Sequence, residues 1–283
     1  MPELPEVEIL ARHLRPLLRR RTIRAVEICR PKVLRPTPPE QFKNILRGAT
    51  FLGLTRRGKY LLFELRRKNS RSKTILLGHL GMTGRMFLAD KSVPRPKHAA
   101  VVLGLGARNF IYEDTRYFGR FTLDLSSVAK LGPEPLNGKF TPELFARELK
   151  RSRQPIKVKL LDQSLVAGVG NIYASEALFR AGISVRLAAN RLTLPQVKKL
   201  WHAIRDVLSE AIECGSTIPL NFSPDKSDRL FYFGRAAGEA DFYAERLRVY
   251  DRKGQPCLNC KTPIKRLVQA ARSTFFCPRC QNS

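Results

Sequence analysis

Acidic residues are scarce in this chain. Its 283 residues hold 24 Asp and Glu against 52 Lys and Arg, a formal charge of +28. That deficit points to a polyanionic partner, either nucleic acid or an anionic membrane. Long apolar runs are also missing. None approaches the roughly 18 residues of a membrane span, which excludes a transmembrane helix. No signal peptide precedes the charged first helix, so a cytoplasmic protein is expected. No internal repeat appears, which excludes a solenoid. The single tryptophan, Trp201, sits on the apolar stripe of a helix and reads as core, as does neighbouring His202. The basic residues that remain are not confined to a tail. They recur within elements, as in Arg19-Arg20-Arg21, Arg56-Arg57-Gly58-Lys59 and Arg66-Arg67-Lys68. Ribosomal proteins share this balance, so charge implies nucleic acid and no particular reaction.

Cysteine is sparse outside one cluster. Cys29 and Cys214 stand alone and read as small buried hydrophobes. Cys257, Cys260, Cys277 and Cys280 form C-x2-C-x16-C-x2-C, within the range of a four-thiolate zinc site. Two disulfides in a secreted protein are the competing reading, and the missing secretory signal favours zinc.

Leu4 to about Arg20 reads as an amphipathic helix, with Val7, Leu10, Leu14 and Leu17 at spacings of three and four. Strand-like segments follow at Thr22–Arg30, Ala49–Leu65, Thr74–Leu88, Ala99–Leu105, Arg108–Asp114 and Arg120–Leu125. So many strands without intervening helices predict an antiparallel sandwich or barrel. The proline-rich Arg35–Pro39 reads as a loop. Near Ala129–Phe140 the pattern becomes helical and stays so to Gly215. Thr141-Pro142 supplies an N-cap and an N1 proline, and Thr193 with Gln196 a capping box for the longest helix, which Gly215 should end. Ser216–Tyr243 shows no clear period and reads as a long loop.

Two stretches carry chemistry. The turn Gly168-Val169-Gly170 leads into a helix starting at Asn171 and ending at Gly182, and its free N–H groups suit a phosphate. At the other extreme, removal of Met1 would expose Pro2 as a secondary amine. An α-amine has a pKa near roughly 8, well below that of lysine, so a useful fraction is unprotonated and nucleophilic at neutral pH. Such an amine attacks an aldehyde-like carbon to give an iminium, and Glu3 beside it can hold or pass a proton.

Taken together, Pro2-Glu3-Leu4-Pro5-Glu6-Val7-Glu8, Arg56-Arg57-Gly58-Lys59-Tyr60, Gly78-His79-Leu80-Gly81-Met82-Thr83-Gly84 and Gly168-Val169-Gly170-Asn171-Ile172-Tyr173-Ala174, with a terminal cysteine module bearing Arg272, resemble the bacterial formamidopyrimidine-DNA glycosylase family. Leu4 places the chain nearer the formamidopyrimidine branch than endonuclease VIII, which has glycine there. The resemblance implies an α+β multidomain protein: an N-terminal antiparallel β-sandwich over 1–130, a helix–two-turn–helix domain over 131–245, and a zinc β-hairpin over 246–283, with DNA held between the lobes. It implies excision of oxidised purines from flipped-out nucleotides in double-stranded DNA, a Pro2 iminium, and elimination of the 3′ and then the 5′ phosphate. One structural zinc ion, a monomer, no membrane and a cytoplasmic place beside the nucleoid are implied as well.

By the same resemblance Glu3 is a proton donor to the sugar, Glu6 a second carboxylate near the reacting centre, and Lys59 a lysine that grips phosphate and assists elimination. Asn171 and Arg272 clamp phosphate. Met82, Arg116 and Phe118 fill the gap left by the everted base, although Met82 and Phe118 alone would read as core. His98 and Arg153 are DNA contacts and Lys157 a residue near the lesion. Three departures stand out: Tyr117 replaces a usual second arginine, Lys97-His98-Ala99-Ala100 lacks a usual second histidine, and Ser216–Tyr243 is longer than usual and lacks the ordinary lesion-covering sequence. Its aromatics, including Phe231, Tyr232 and Phe233, are expected to stack on the everted base. An endonuclease VIII-like pyrimidine enzyme and a non-catalytic zinc-ribbon binding protein are the alternatives. The latter explains the charge and the cysteines but not Pro2-Glu3 joined to Lys59.

Overall fold

The computed structural model describes residues 2–68, 70–216 and 247–282. All of the expected lesion-covering loop after Ser216 lies outside them. The contacts divide the chain into two units: residues 6–129 form the body of the first, while 130–216 and 247–282 belong to the second, together with residues 3–5.

In the first unit, α1 (Leu4–Leu18) turns its apolar stripe inward. The buried series runs through Val7, Ala11, Leu14 and Leu18, and Leu17 is only half-buried. A period of 3.6 drifts past a strict count of three from Leu14 to Leu17, which moves the last inward position to Leu18. Two of the long expected strands each divide into two, the first as a hairpin and the second as strands of different sheets. Ala49–Leu65 divides into β2 (Ala49–Arg57) and β3 (Tyr60–Arg67), turning at Gly58-Lys59. Thr74–Leu88 divides into β4 (Thr74–His79) and β5 (Gly84–Asp90). With β1 (Ala25–Ile28), β6 (Ala99–Gly104), β7 (Arg108–Asp114) and β8 (Arg120–Thr122), they build two four-stranded antiparallel sheets. The orders are β1-β6-β7-β5 and β2-β3-β4-β8, so the unit is a sandwich rather than a barrel. Phe63 of the second sheet meets Phe110 of the first at 5.6 Å between ring centres. Phe51 and Phe121 complete this aromatic centre, in the tilted and edge-on geometries that aromatic pairs prefer. Residues 35–38 form the expected loop, and α2 (Pro39–Leu46) follows directly, with proline at its first helical position, where its fixed φ suits the helix.

In the second unit the capping signals at Thr141, Gly182 and Thr193 behave as the sequence predicts, whereas that at Gly215 does not. Thr141 accepts the Leu144 N–H at 3.2 Å ahead of α4 (Pro142–Lys150), which follows the short α3 (Ser126–Ala129) of the first unit. After the single turn α5 (Ile156–Lys159), α6 (Asn171–Ala181) ends on Gly182 at φ +71°, a left-handed cap. Thr193 and Gln196 bond reciprocally at the start of α7 (Leu194–Ser216), at 2.9 and 3.4 Å. That helix continues through Gly215. Trp201 donates its indole N–H to the Phe140 carbonyl at 2.8 Å and packs on that ring, a structural role. β9 (Lys265–Gln269) and β10 (Arg272–Phe276) form the terminal hairpin.

Candidate active site and nucleic-acid interface

Pro2 and Glu6 are both buried, and Lys59 is only 5% exposed although it sits in a hairpin turn. Gly58, at φ +56°, supplies the left-handed conformation that a two-residue turn needs there. The turn is fixed from behind by Arg56, which donates to the Glu8 carboxylate at 2.9 Å and to the Gly58 carbonyl at 3.1 Å. Burial alone would raise the Glu8 pKa, but hydrogen bonds from Arg56 and Arg12 outweigh it and hold the carboxyl below its ordinary value.

His79 faces Tyr60 across β3 and β4, with ring centres 4.7 Å apart. Its Nδ1 accepts the Gly81 N–H at 3.2 Å. Burial first, and the charges of Lys59 and Arg120 second, push its pKa down to about 4. A neutral imidazole whose Nδ1 accepts must carry its proton on Nε2, so His79 presents one N–H donor beside Lys59.

The loops after β4 and β7 carry the residues expected to form a wedge. Met82 and Phe118 are 43% and 52% exposed, which excludes the core reading for both. The Arg116 guanidinium lies 4.7 Å from the Phe118 ring centre and donates to the Met82 sulfur at 3.3 Å, so the three residues form one group. Fully buried Asp114 holds both loops. It accepts from the Thr83 hydroxyl at 2.6 Å, the Arg116 N–H at 3.1 Å and the Gly119 N–H at 2.9 Å. His98 is half-buried in the same unit, its carbonyl accepting the Asp114 N–H at 3.1 Å.

In the second unit, Glu3 occupies the N-terminus of α6. Its carboxylate accepts from the backbone N–H groups of Gly170, Ile172 and Tyr173 at 2.7, 2.9 and 3.4 Å. The expectation of an open phosphate cradle there is therefore corrected: the helix dipole and free donors already hold the protein's own carboxylate. Gly168 makes the approach possible. At φ +88° it donates room, since a Cβ there would lie 2.6 Å from that of Leu4, whose N–H bonds the Gly168 carbonyl at 3.0 Å.

Asn171, the first residue of α6, is held at three points. Its amide donates to the Ser273 carbonyl on β10 at 2.9 Å, accepts from Lys157 and bonds the Tyr250 side chain. Lys157 is fully buried; burial and the nearby Arg272 charge push its pKa down to about 8, against the opposing pull of Glu3. Arg272 is exposed at the start of β10, just after Ala270 and Ala271 at φ +47° and +57°. Two non-glycine residues in the left-handed region make this a strained hairpin turn. Gln269 anchors it by donating to the Val185 carbonyl at 3.1 Å. Arg153 is exposed, and none of the hydrogen bonds around Asn171 reaches it.

Four residues in this arrangement are not apparent from the sequence: His79, Asp114, Tyr250 and Glu176. Buried Glu176 accepts the N–H groups of Arg248, Val249 and Tyr250 at 2.8, 2.9 and 2.8 Å, which fixes the turn carrying Tyr250. Burial raises its pKa against those three bonds. His79 lies inside a recognised motif, so a signal for it was present. Of the other three, Glu176 acts through backbone groups distant in sequence, Tyr250 through the distant Asn171 side chain, and Asp114 by joining two loops through Thr83, Arg116 and Gly119; residue spacing gives no sign of any of these.

The four cysteine sulfurs lie within 4.8 Å of one another, with Cys257–Cys280 at 3.9 Å and Cys260–Cys277 at 3.4 Å. A tetrahedral zinc with Zn–S bonds near 2.3 Å requires sulfurs about 3.8 Å apart, so the set fits that ion. Phe179, Val249, Ile264 and Phe275 pack around it.

Family comparisons agree with this geometry. The N-terminal domain of formamidopyrimidine-DNA glycosylase matches residues 1–121, its H2TH domain 131–222, and a zinc finger found in that enzyme and in isoleucyl-tRNA synthetase matches 254–282. A formamidopyrimidine-DNA glycosylase of Symbiobacterium thermophilum is 43% identical, over 99% of this chain and 89% of its own length. One from Paracoccus denitrificans is 41% identical, over 99% and 100%. The Lactococcus lactis protein, in a crystal structure with DNA containing N7-benzyl-Fapy-dG, superposes with a TM-score of 0.86 at 34% identity, over 100% of both chains. With all three modules matched in order and relatives similar from end to end, the chain belongs to the formamidopyrimidine-DNA glycosylase family.

Proposed function

We propose that this protein excises oxidised purines, formamidopyrimidines and 8-oxoguanine, from double-stranded DNA and cleaves the resulting abasic site. The carrying observation is the seat of Glu3. One residue after the proposed Pro2 nucleophile, its carboxylate is locked by three N–H donors at the head of a helix whose first residue is tied to the zinc hairpin. A terminus fixed in this way is an unusual use of a chain end, which otherwise frays.

Pro2, freed of Met1, attacks C1′ of the everted nucleotide, and the base leaves as the sugar ring opens to an iminium. Glu3 and Glu6 are the carboxylates available to hold or pass protons there. The iminium acidifies the neighbouring sugar carbon, so the 3′ phosphate and then the 5′ phosphate are eliminated, with Lys59 assisting. Lys59, His79, Asn171, Tyr250 and Arg272 are the phosphate-binding set. Met82, Arg116 and Phe118 fill the vacated stack, Lys157 lies near the lesion, and His98 and Arg153 contact DNA more peripherally. One zinc ion on Cys257, Cys260, Cys277 and Cys280 holds the hairpin; with four thiolates it has no open position for substrate.

We further propose domains at 1–130, 131–245 and 246–283, a monomer, and a place in the cytoplasm with the chromosome. Among the described residues no helix is long and apolar enough to cross a membrane.

The test is incubation with abasic DNA and borohydride, with the intact mass measured in parallel. A trapped covalent product is expected, with a mass lacking Met1 and no product when a retained N-terminal extension blocks the Pro2 amine. Retained Met1, or trapping undiminished with that amine blocked, would overturn the mechanism.

A further inference from the structure

Position 117 holds a bulky residue in an unfavourable conformation. Tyr117 has φ +52°, between the exposed Arg116 and Phe118 of the wedge. Such a conformation persists only where surrounding contacts enforce it, and it concentrates at functional sites. The contacts of Tyr117 lead to Arg30. The Arg30 Nε donates to the Tyr117 hydroxyl at 3.2 Å, and its guanidinium carbon lies 5.5 Å from the ring centre. Nη1 donates to the Cys29 carbonyl at 3.0 Å. The backbone beneath is fixed as well, because the N–H groups of Cys29 and Arg30 both donate to the Ala100 carbonyl of β6, at 2.9 and 3.0 Å.

Among the described residues no carboxylate lies within ion-pair distance of Arg30, although its side chain is exposed. A guanidinium carries five N–H donors, of which the tyrosine hydroxyl and the Cys29 carbonyl use two. Three donors in a planar fork remain, the pattern that grips a phosphate. The usual cost of binding through an arginine, loss of rotamer freedom, is already met in the free protein.

We infer that Arg30 is a further DNA-phosphate contact, with Tyr117 as the residue that positions it beside the wedge loop. This inference rests on the proposed reading of the protein as a DNA glycosylase. It also gives a physical role to the tyrosine in a loop otherwise expected to carry a second arginine: the cation comes from β1's far end instead, and the ring aims it.

Affinity is measured by fluorescence anisotropy for an undamaged duplex and for one containing a stable abasic-site analogue, over a range of salt. Arg30→Ala should weaken binding of both duplexes by roughly tenfold at low salt. The slope of log K against log salt should become shallower by about 0.9, the loss of one neutralised phosphate. Arg30→Lys should restore most of the slope. Tyr117→Phe should weaken binding less than Arg30→Ala and add nothing in the Arg30→Ala background. Arg30→Gln serves as a second neutral variant, with thermal unfolding monitored for each. An unchanged slope in both neutral variants would overturn the inference alone, as would weakening confined to the abasic-analogue duplex, which would mean that Arg30 merely braces the wedge. Failure of the unaltered protein to bind either duplex would overturn both the inference and the functional reading.

Discussion

Asp114 accepts the Thr83 hydroxyl at 2.6 Å, and through that bond one buried carboxylate joins the loop bearing Met82 to the loop bearing Arg116 and Phe118. All of its partners on the two loops are donors. In Asp114→Asn one oxygen becomes an NH2 group, which sets donor against donor. Leaving a buried donor unsatisfied costs about 1–3 kcal/mol, so the variant should be destabilised by that amount in urea titrations. Base excision should fall by more than the stability loss accounts for, because the wedge loses its register. Thr83→Ala, which removes the hydroxyl's bond to Asp114 and the longer one it accepts from the Arg116 N–H but sets no donor against a donor, should do the same to a smaller extent. Full excision rates in a destabilised Asp114→Asn protein would separate the carboxylate from the wedge.

The wedge residues themselves should behave oppositely. Met82 and Phe118 are exposed, so Met82→Ala and Phe118→Ala should change stability by no more than about 0.5 kcal/mol. Single-turnover excision of a damaged base should drop at least tenfold, since filling the vacated stack offsets a few kcal/mol of unstacking. Cleavage of a preformed abasic site, with no paired base to evert, should suffer less. Equal losses on both substrates would place these side chains in general DNA binding.

The zinc hairpin should act as a positioning element. A segment this short cannot build a core unaided and depends on its metal to fold. Chelation, or Cys277→Ser, should therefore abolish DNA binding by releasing Arg272 and the Ser273 carbonyl that holds Asn171. The first unit, whose aromatic core contains none of these residues, should keep its near-ultraviolet dichroism. Binding retained in metal-free protein would contradict this.

Local signals in the sequence were legible where one residue decides one structure. Thr141, Gly182 and the Thr193–Gln196 pair mark helix ends by their own side chains or their lack of one. The cysteine spacing marks its cluster just as directly. The breaks within Ala49–Leu65, a hairpin, and Thr74–Leu88, a crossing from one sheet to the other, were harder, because Gly58-Lys59 and the Leu80–Thr83 turn interrupt apolar runs of similar character. The helix at Pro39–Leu46 was masked by prolines that start it. At the site, residue types were legible but their company was not. Nothing in Gly170-Asn171 indicates that a carboxylate from position 3 fills the helix end, and nothing near Glu176 indicates that it fixes the Tyr250 turn. Such roles come from hydrogen bonds spanning more than 70 residues, and only the folded chain brings those groups together.

His79 makes the stability of the protein pH-dependent in a defined window. Its folded pKa is about 4, while a free histidine titrates near 6.5. Between those values the unfolded chain binds a proton that the folded chain refuses. Stability should thus rise with pH across the window, be fully present above about 6.5, and fall as acid is added towards 4. A tenfold difference in proton affinity between the two states is worth about 1.4 kcal/mol, so the loss from this group approaches about 3 kcal/mol at the acid end. His79→Asn keeps an acceptor for the Gly81 N–H but cannot titrate, and its stability should fall less steeply from pH 6.5 to 4 than that of the parent. The same neutrality bears on function: an Nε2–H donor on an uncharged ring leaves Lys59 as the sole full charge of the pair, so His79→Asn should weaken DNA binding without changing the salt slope by a full unit. Urea titrations of both proteins at half-unit pH steps provide the measurement. Parallel stability curves across the window would show that His79 is already charged in the folded protein, and the tautomer that aims its donor would be wrong with it.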